Sequence, residues 1–342
     1  MKKLLTLTLA LALVLCAATA GAVTLKLSEV HAEGYPATLA DQEFARLVEE
    51  RTEGRVKIEV YSGGSLDGEE TGAIEALQLG DLAFSRVSAS PVASYVPAMN
   101  AIQMPYLYKN ADHMWAVLDG EIGQNMLAEV QASGSGMVGL CWYDAGARSY
   151  YTNKPVTCLA DMKGLKIRMQ NNKMMVAMTN VLGGVGVTGI GPNEVYSAIS
   201  QGTIDGAENY WPTYPNMGDY EAAPYYVLDN HTMVPEVLLA SEAALAELDE
   251  KDVEIIKQCA KETQEFEKQK WAEKEAASEQ IVREAGCTIT ELSPEALAEF
   301  QAAMTTPVTG VEGIEDGKSL YETYGAAYQD VIDAIQAVGE NF

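Results

Sequence analysis

Between residues 23 and 79 the chain changes its hydrophobic period three times, and that rhythm restricts the fold more than any other feature. Val23 to Val30 has the apolar density of a strand. Thr38 to Glu53 places Leu39, Phe44, Leu47 and Val48 near one helical face, and Gly54 follows as a stop. Arg55 to Tyr61 alternates Val56, Ile58 and Val60 against charged residues, which is a strand with one wet face. After a loop at Gly63, Gly64 and Gly68, residues 69–79 return to the helical period. Strand, helix, strand, helix is the order of an α/β fold, and it predicts mainly parallel sheets.

A second block repeats the habit. Met137 to Tyr143 and Gly164 to Met169 read as strands, Asn172 to Leu182 and Asn193 to Ser200 as helices. The last third differs. Asp249 followed by Asp252 resembles a capping box, and helical residues then run to about Ala285, with Gly286 as the cap. Val253, Ile256 and Ala260 share a face of this segment. At 1.5 Å per residue it reaches roughly 54 Å, longer than one small domain. A helix of that length ties two lobes together, and the cleft between lobes is where small ligands sit.

The 342 residues leave room for about two domains, and 48% hydrophobic residues are enough for a real core. Asp plus Glu number 49 against 23 Lys plus Arg, for a formal charge of -26. Such a surface repels phosphate backbones and anionic lipid headgroups, so no nucleic acid is expected as a partner. A small anion held by one or two local arginines is compatible with it, because salt screens the global field beyond about 8 Å.

The first residues read as a secretory leader. Lys2 and Lys3 precede an apolar run from Leu4 to Leu15, and two small-residue patterns end at Ala20 and Ala22. Cleavage after Ala22 sends the chain to the periplasm. Cys16 lies inside the leader behind Leu15, where a lipoprotein site wants a small residue. The mature chain keeps Cys141, Cys158, Cys259 and Cys287, with no CxxC, and their spacing does not choose among three pairings. Cys141 and Cys259 fall in apolar or helical patterns that bury a small side chain.

Catalytic patterns are missing. His31, His113 and His231 lie too far apart for a local metal-ligand spacing, so no metal or cofactor is expected. Gly184-x-Gly186-x-x-Gly189 matches a dinucleotide pattern in letters, but it follows a helix, where the fingerprint needs a preceding strand. It reads as a glycine-rich connection. No nucleophile is set beside a base, so the chain is not expected to be an enzyme.

What remains points to anion binding. Arg168 sits in an alternating strand pattern with Leu165 and Ile167, and Arg148 follows Gly146. An arginine fork holds a carboxylate through two parallel hydrogen bonds. Residues 202–211 bring Asn209, a donor and acceptor suited to hydroxyls, next to Tyr210 and Trp211, whose flat faces pack on sugar rings.

These segments carry a resemblance. GLKIRMQN at 164–171, NEVYSAISQGTIDGAEN at 193–209 and VPEVLLAS at 234–241 are its most specific pieces. GGSLDGEE at 63–70, LQLGDL at 77–82 and MPYLY at 104–108 follow the same order. Over the mature chain the sequence resembles the periplasmic solute-binding proteins of TRAP transporters, in the dicarboxylate-receptor family. The resemblance implies an α/β, two-lobed periplasmic-binding-protein fold with a central ligand cleft and a long helix spanning both lobes. Lobe I would take 23–145 plus about 235–270, and lobe II 146–234 plus about 271–342.

It also implies a function, namely capture of a small organic acid and delivery to TRAP permease membrane subunits by hinge closure, as a monomer. The family's carboxylate-gripping arginine falls on Arg168 and a second arginine on Arg148. Asn209 matches the asparagine that contacts ligand and arginine, and Asn171 a polar contact after the arginine. Arg86 departs from the sialic-acid branch, which has an acid near that position, and would add a third positive charge. Pro192 replaces an aromatic of that branch. His31, Glu29, Glu69 and Trp211 lie near the motif loops and are further cleft candidates. Asn209, Trp211 and Tyr214 suit a sugar acid, a uronate or aldonate. Extra arginines suit a C4 dicarboxylate equally, and the same cleft would serve a keto acid or an extracytoplasmic sensor domain.

Overall fold

The computed structural model describes residues 22–342. The leader and Cys16 therefore lie outside the described residues, apart from Ala22. Among the described residues no helix is long and apolar enough to cross a membrane.

The first sheet is built from β1 (Val23–Ser28), β2 (Val56–Tyr61), β3 (Phe84–Ser88), β4 (Met137–Tyr143) and β11 (Glu236–Ser241), in the order β2-β1-β3-β11-β4. Between β1 and β2 runs α1 (Pro36–Arg51), which starts with proline at its first position and closes on Glu53 and Gly54, both at positive φ. Between β2 and β3 runs α2 (Glu70–Leu79), ended by Gly80 in the left-handed region. The helices α3 (Ala111–Leu118) and α4 (Glu121–Ala132) lead into β4.

The second sheet contains β5 (Ala147–Thr152), β6 (Lys166–Arg168), β7 (Val185–Val187), β8 (Gly206–Tyr210), β9 (Tyr225–Val227) and β12 (Thr288–Thr290), in the order β12-β9-β5-β8-β6-β7, with β10 (Thr232–Met233) paired to β5. Its helices are α5 (Lys173–Val181), capped by the Asn172 side chain, and α6 (Val195–Ser200). The glycine pattern at 184–189 is not a plain connection. Val185–Val187 is the edge strand β7, and a Cβ on Gly186 would lie 3.0 Å from the Val176 backbone, so the glycines serve close strand–helix packing.

Both sheets are mixed, which corrects the expectation of mainly parallel ones. β1 runs parallel to β2 and β3, but β11 is antiparallel to both β3 and β4. In the second sheet β5 is antiparallel to β8 and β9, while β6 is parallel to β7 and β8. The cause is the chain path. It leaves the first sheet after β4, builds most of the second, and returns as β11 from the opposite direction.

The long helix is α7 (Glu250–Glu284), 35 residues and about 52 Å. Ile256, Cys259, Ala260 and Trp271 pack into the hydrophobic cluster of the first sheet with Phe44, Val48 and Leu140. Val282, near its other end, packs into the cluster of the second sheet with Tyr151, Tyr214 and Tyr226. Asp249 makes no side-chain cap, and Asp252 instead accepts from Arg55 Nη2 at 2.8 Å, so an ion pair to the loop before β2 stands where a capping box was expected. Gly286, at φ +81, does follow the helix.

A third cluster runs beneath both sheets and joins Val87, Trp142 and Val237 to Tyr150, Ile167 and Met174. The C-terminal segment covers it. α8 (Pro294–Thr305) packs on α5, while α9 (Gln329–Gly339) packs on α3 and α4, where His113 Nε2 lies 2.8 Å from the Ile335 carbonyl. The chain crosses between the sheets at residues 144–146 and 234–235. At the first crossing Gly146, at φ +67, passes so close to α7 that a Cβ would lie 2.8 Å from Glu275 Oε1.

Candidate functional site

The strand ends of both sheets meet at one small pocket. Glu69, Glu70 and Thr71, at the start of α2, line it from the first sheet; Arg168, Gln170 and Asn171, at the end of β6, line it from the second. This is where α/β sheets bind ligands, outside the carboxyl ends of parallel strands. The two sides touch. Asn171 Nδ2 donates to Thr71 Oγ1 at 3.0 Å and to Glu69 Oε2 at 3.3 Å, and Asn193 Nδ2 donates to the Val30 carbonyl at 3.4 Å.

Arg168 is 7% exposed and lies in the cavity wall. Its Nε donates to the Ile190 carbonyl at 2.9 Å. Among the described residues its two terminal nitrogens have no hydrogen-bond partner and it forms no ion pair. A buried guanidinium with an open fork can take a carboxylate through two parallel hydrogen bonds. The register pairs Arg168 with Ala207, and Asn209 lies two residues farther along β8, on the same face by the two-residue period of a strand. Asn209 is half-buried; its Oδ1 accepts from the Tyr210 amide at 3.0 Å, and its Nδ2 has no partner among the described residues.

Arg86 is not the third free charge expected from sequence. It is 1% exposed and surrounded by carboxylates. Nε donates to Glu29 Oε2 at 2.6 Å, Nη1 to Glu70 Oε1 at 2.8 Å and also to Glu236. His31 Nδ1 lies 2.8 Å from Arg86 Nη2 and 2.7 Å from Glu29 Oε1, and its ring stacks on Tyr35 at 3.9 Å. Strand pairing causes this. β11 sets Leu238 opposite Arg86, so Glu236, two residues away, shares its face.

The electrostatics follow from that packing. Burial alone would raise the Glu29 carboxyl, but Arg86 and His31 hold it well below the usual carboxylate range. Glu70 goes the other way. Burial lifts it to about 7 against the pull of Arg86, with Glu236 and Glu29 pushing in the same direction as burial.

Arg148 is also 1% exposed, and it is matched by Glu208, to which it donates through Nε and through Nη2 at 2.7 Å. Its guanidinium lies 4.4 Å from the Tyr210 ring centre. The pleat puts it on the opposite face of the sheet from Arg168, since its register partner is Tyr210 and that of Arg168 is Ala207. His231 completes the group, with Nδ1 2.8 Å from Asp229 and Nε2 3.4 Å from Glu208. Burial would lower His231, yet Asp229 and Glu208 raise it to about 9. Glu208 is held down to about 2 by Arg148 and His231 against its burial. Trp211 stacks on Tyr226 at 4.1 Å and belongs to the packing of the second sheet rather than to the cavity wall. Tyr214 is fully buried in the same cluster.

Thus Arg168, Asn171 and Glu69 share one cavity, with Arg86 and His31 behind it, joined through Glu70. Sequence reasoning missed Glu70, Gln170, Glu236, Glu208 and Asp229. Glu236 lies within the segment VPEVLLAS, but nothing local marks a buried acid whose partner is 150 residues away. All four mature cysteines are free, Cys141 and Cys259 buried as expected. Among the described residues no group of His, Cys, Asp or Glu has metal-site geometry.

Known proteins share this architecture. The family model for bacterial extracellular solute-binding protein, family 7, matches residues 27–311. A solute-binding protein of Chromohalobacter salexigens is 37% identical over 289 residues, 84% of each chain. A TRAP periplasmic solute-binding protein of Pseudomonas putida F1, solved with bound D-glucuronate, superimposes with a TM-score of 0.84 at 34% identity, covering 92% of this chain and 97% of that one. One from a Bradyrhizobium species, solved with D-galacturonate, gives a TM-score of 0.84 at 32% identity, covering 92% of this chain and all of the other.

Proposed function

The chain belongs to family 7 of the bacterial extracellular solute-binding proteins, and from that premise we propose that it captures a sugar acid, a hexuronate first among them, for a TRAP-type membrane permease. The observation that carries this reading is the open fork of Arg168 in the cleft wall, while the charges of Arg86 and Arg148 are already matched. One ligand carboxylate takes the two terminal nitrogens of Arg168. Asn209 and Asn171 offer amide groups to the hydroxyls beside it, and Glu69 and Glu70 accept from hydroxyls across the cavity. Solved relatives with glucuronate and galacturonate at 34% and 32% identity support a pyranose acid over a C4 chain.

The contacts from Asn171 to Glu69 and Thr71 join the two sides of the cleft. In this reading they form when the two lobes close on the ligand, with residues 144–146 and 234–235 as the hinge strands. Burial of the carboxylate in the closed cleft strengthens its pairing with Arg168, because water no longer screens it. No bond is made or broken. The protein acts outside the cytoplasm after loss of residues 1–22, and hands over its cargo as a monomer.

A thermal-shift panel tests this. The mature chain, unfolded and refolded to strip bound ligand, is mixed with uronates, aldonates, C4 dicarboxylates, keto acids and neutral sugars. A ligand at 100 times its Kd adds about 2.7 kcal/mol, which moves the melting point by a few degrees. A shift confined to uronates or aldonates is the expected result. A shift with dicarboxylates alone, or with no acid, overturns it.

A further inference from the structure

We propose that Glu69 and Glu70 make the cleft selective for ligand charge, so that it admits a polyhydroxy acid with one carboxylate and rejects its dicarboxylate counterpart. The inference rests on the sugar-acid reading and deepens it by naming the residues that choose between a uronate and an aldarate.

Among the described residues lining the pocket, Arg168 is the one cation. Arg168 is more than nine-tenths buried and its terminal nitrogens have no protein partner among the described residues. Facing it across the cavity are Glu69 and Glu70. Of the other positive charges near this wall, Arg86 is engaged by Glu29, Glu70 and Glu236, and Arg148 by Glu208, while Lys173 lines the neighbouring surface pocket and not this one. After the first ligand carboxylate has neutralised Arg168, no other cation among the described residues lining this pocket is open to receive a second. It would instead meet the Glu69 carboxylate and, above about pH 7, that of Glu70 as well, in a site with little water, where repulsion is large.

The same two side chains have acceptor capacity to spare. Glu69 Oε2 accepts only from Asn171 Nδ2, at 3.3 Å, and Oε1 has no partner among the described residues. Glu70 uses Oε1 for Arg86 and for the Ser88 amide, which leaves Oε2 without one. A carboxylate oxygen accepts strongly from a hydroxyl and repels another carboxylate. Two open carboxylate oxygens opposite one open guanidinium therefore read a molecule that is anionic at one end and hydroxylated at the other.

Isothermal titration at pH 7.5 tests this with D-glucuronate, D-galacturonate, their diacid counterparts D-glucarate and galactarate, and succinate. The proteins are the wild type, Glu69→Gln and Glu70→Gln, each checked for an unchanged circular dichroism spectrum. Glutamine keeps the volume and removes the charge. The wild type is expected to favour the uronates over the diacids by roughly tenfold or more. Glu69→Gln should narrow that ratio about tenfold, weakening the uronate and strengthening the diacid. Glu70→Gln should act the same way but less, because its charge is shared with Arg86.

If both glutamine variants change uronate and diacid by the same factor, the glutamates only fill space and the proposal falls while the sugar-acid reading stands. A wild type that takes a uronate and its diacid equally also overturns it alone. A wild type that binds succinate but no uronate overturns the sugar-acid reading and this inference together.

Discussion

Arg148 and Glu208 lie diagonally across neighbouring antiparallel strands and pair twice, Nη2 donating to Oε1 at 2.7 Å and Nε to Oε2, with 1% and 0% of the residues exposed. His231, between Glu208 and Asp229, extends the pair to a buried group of two cations and two anions. The balance explains how a sheet interior tolerates so much charge. Each member is desolvated at a cost that its neighbours offset, so no member is replaceable alone.

Glu208→Gln should therefore destabilise the apo protein by about 3–5 kcal/mol, since it leaves Arg148 charged, buried and unmatched. Urea unfolding followed by circular dichroism measures this. Arg148→Met combined with Glu208→Leu should recover much of the loss. A single variant within about 1 kcal/mol of wild type would mean that water reaches the pair.

Arg168→Ala should do the reverse. Its one hydrogen bond among the described residues is from Nε to the Ile190 carbonyl, so apo stability should change by about 1 kcal/mol. Binding of a uronate should fall roughly a hundredfold or more, because two charge-assisted hydrogen bonds are lost. Arg168→Lys should recover only part, since an ammonium cannot form the fork. Calorimetry on all three proteins decides it, and unchanged affinity in the alanine variant would remove Arg168 from the site.

Stability should decline on the alkaline side through His231. Its folded pKa, about 9, lies above the ordinary 6.5, so its contribution is complete below about pH 6.5 and is lost as pH rises through 9. The difference corresponds to at most about 3 kcal/mol. Buried carboxyls act in the same direction, since Glu70 and Asp219, raised by burial to about 7 and about 6, and Asp41 and Glu267, raised well above the usual carboxylate range, lose their contributions as they ionise, so the difference between wild type and His231→Gln isolates the imidazolium. Urea midpoints between pH 7 and 9.5 should fall steadily, and His231→Gln should flatten that limb. A flat wild-type curve over the same range would contradict the buried imidazolium.

The four cysteines should behave as two classes. Cys158 and Cys287 are half-buried, while Cys141 and Cys259 are buried. Burial raises the Cys141 thiol well above its usual range, which keeps it protonated and unreactive. An aromatic disulfide reagent should label Cys158 and Cys287 in the native mature protein and the other two only in denaturant. Dithiothreitol should leave the melting point unchanged, and a drop of several degrees would reveal a disulfide.

Much of the architecture was legible because it is periodic. Val56, Ile58 and Val60 alternate in the sequence, and β2 forms there. The helical run after Asp249 became α7 within a residue at each end. Arg168 and Arg148 stood out alike as arginines in a chain poor in basic residues, and the family resemblance put Arg168 first; Arg168 lines the pocket and Arg148 does not. The sheet directions were not legible, since β11 inserts antiparallel between β3 and β4 only after the chain has built the second sheet. Nor was the state of Arg86. Its acids come from 57 and 150 residues away, and no local pattern reports such a distance.

The sequence by itself determined the kinds of element, their order and the long helix, because those depend on side-chain period along the chain. Tertiary structure alone decided which arginine is open. Arg86, Arg148 and Arg168 carry the same charge in the sequence, but strand pairing brings glutamates onto the first two and leaves the third with a single carbonyl. A guanidinium binds whatever carboxylate lies within about 3 Å of it, and that distance exists only after the chain has folded.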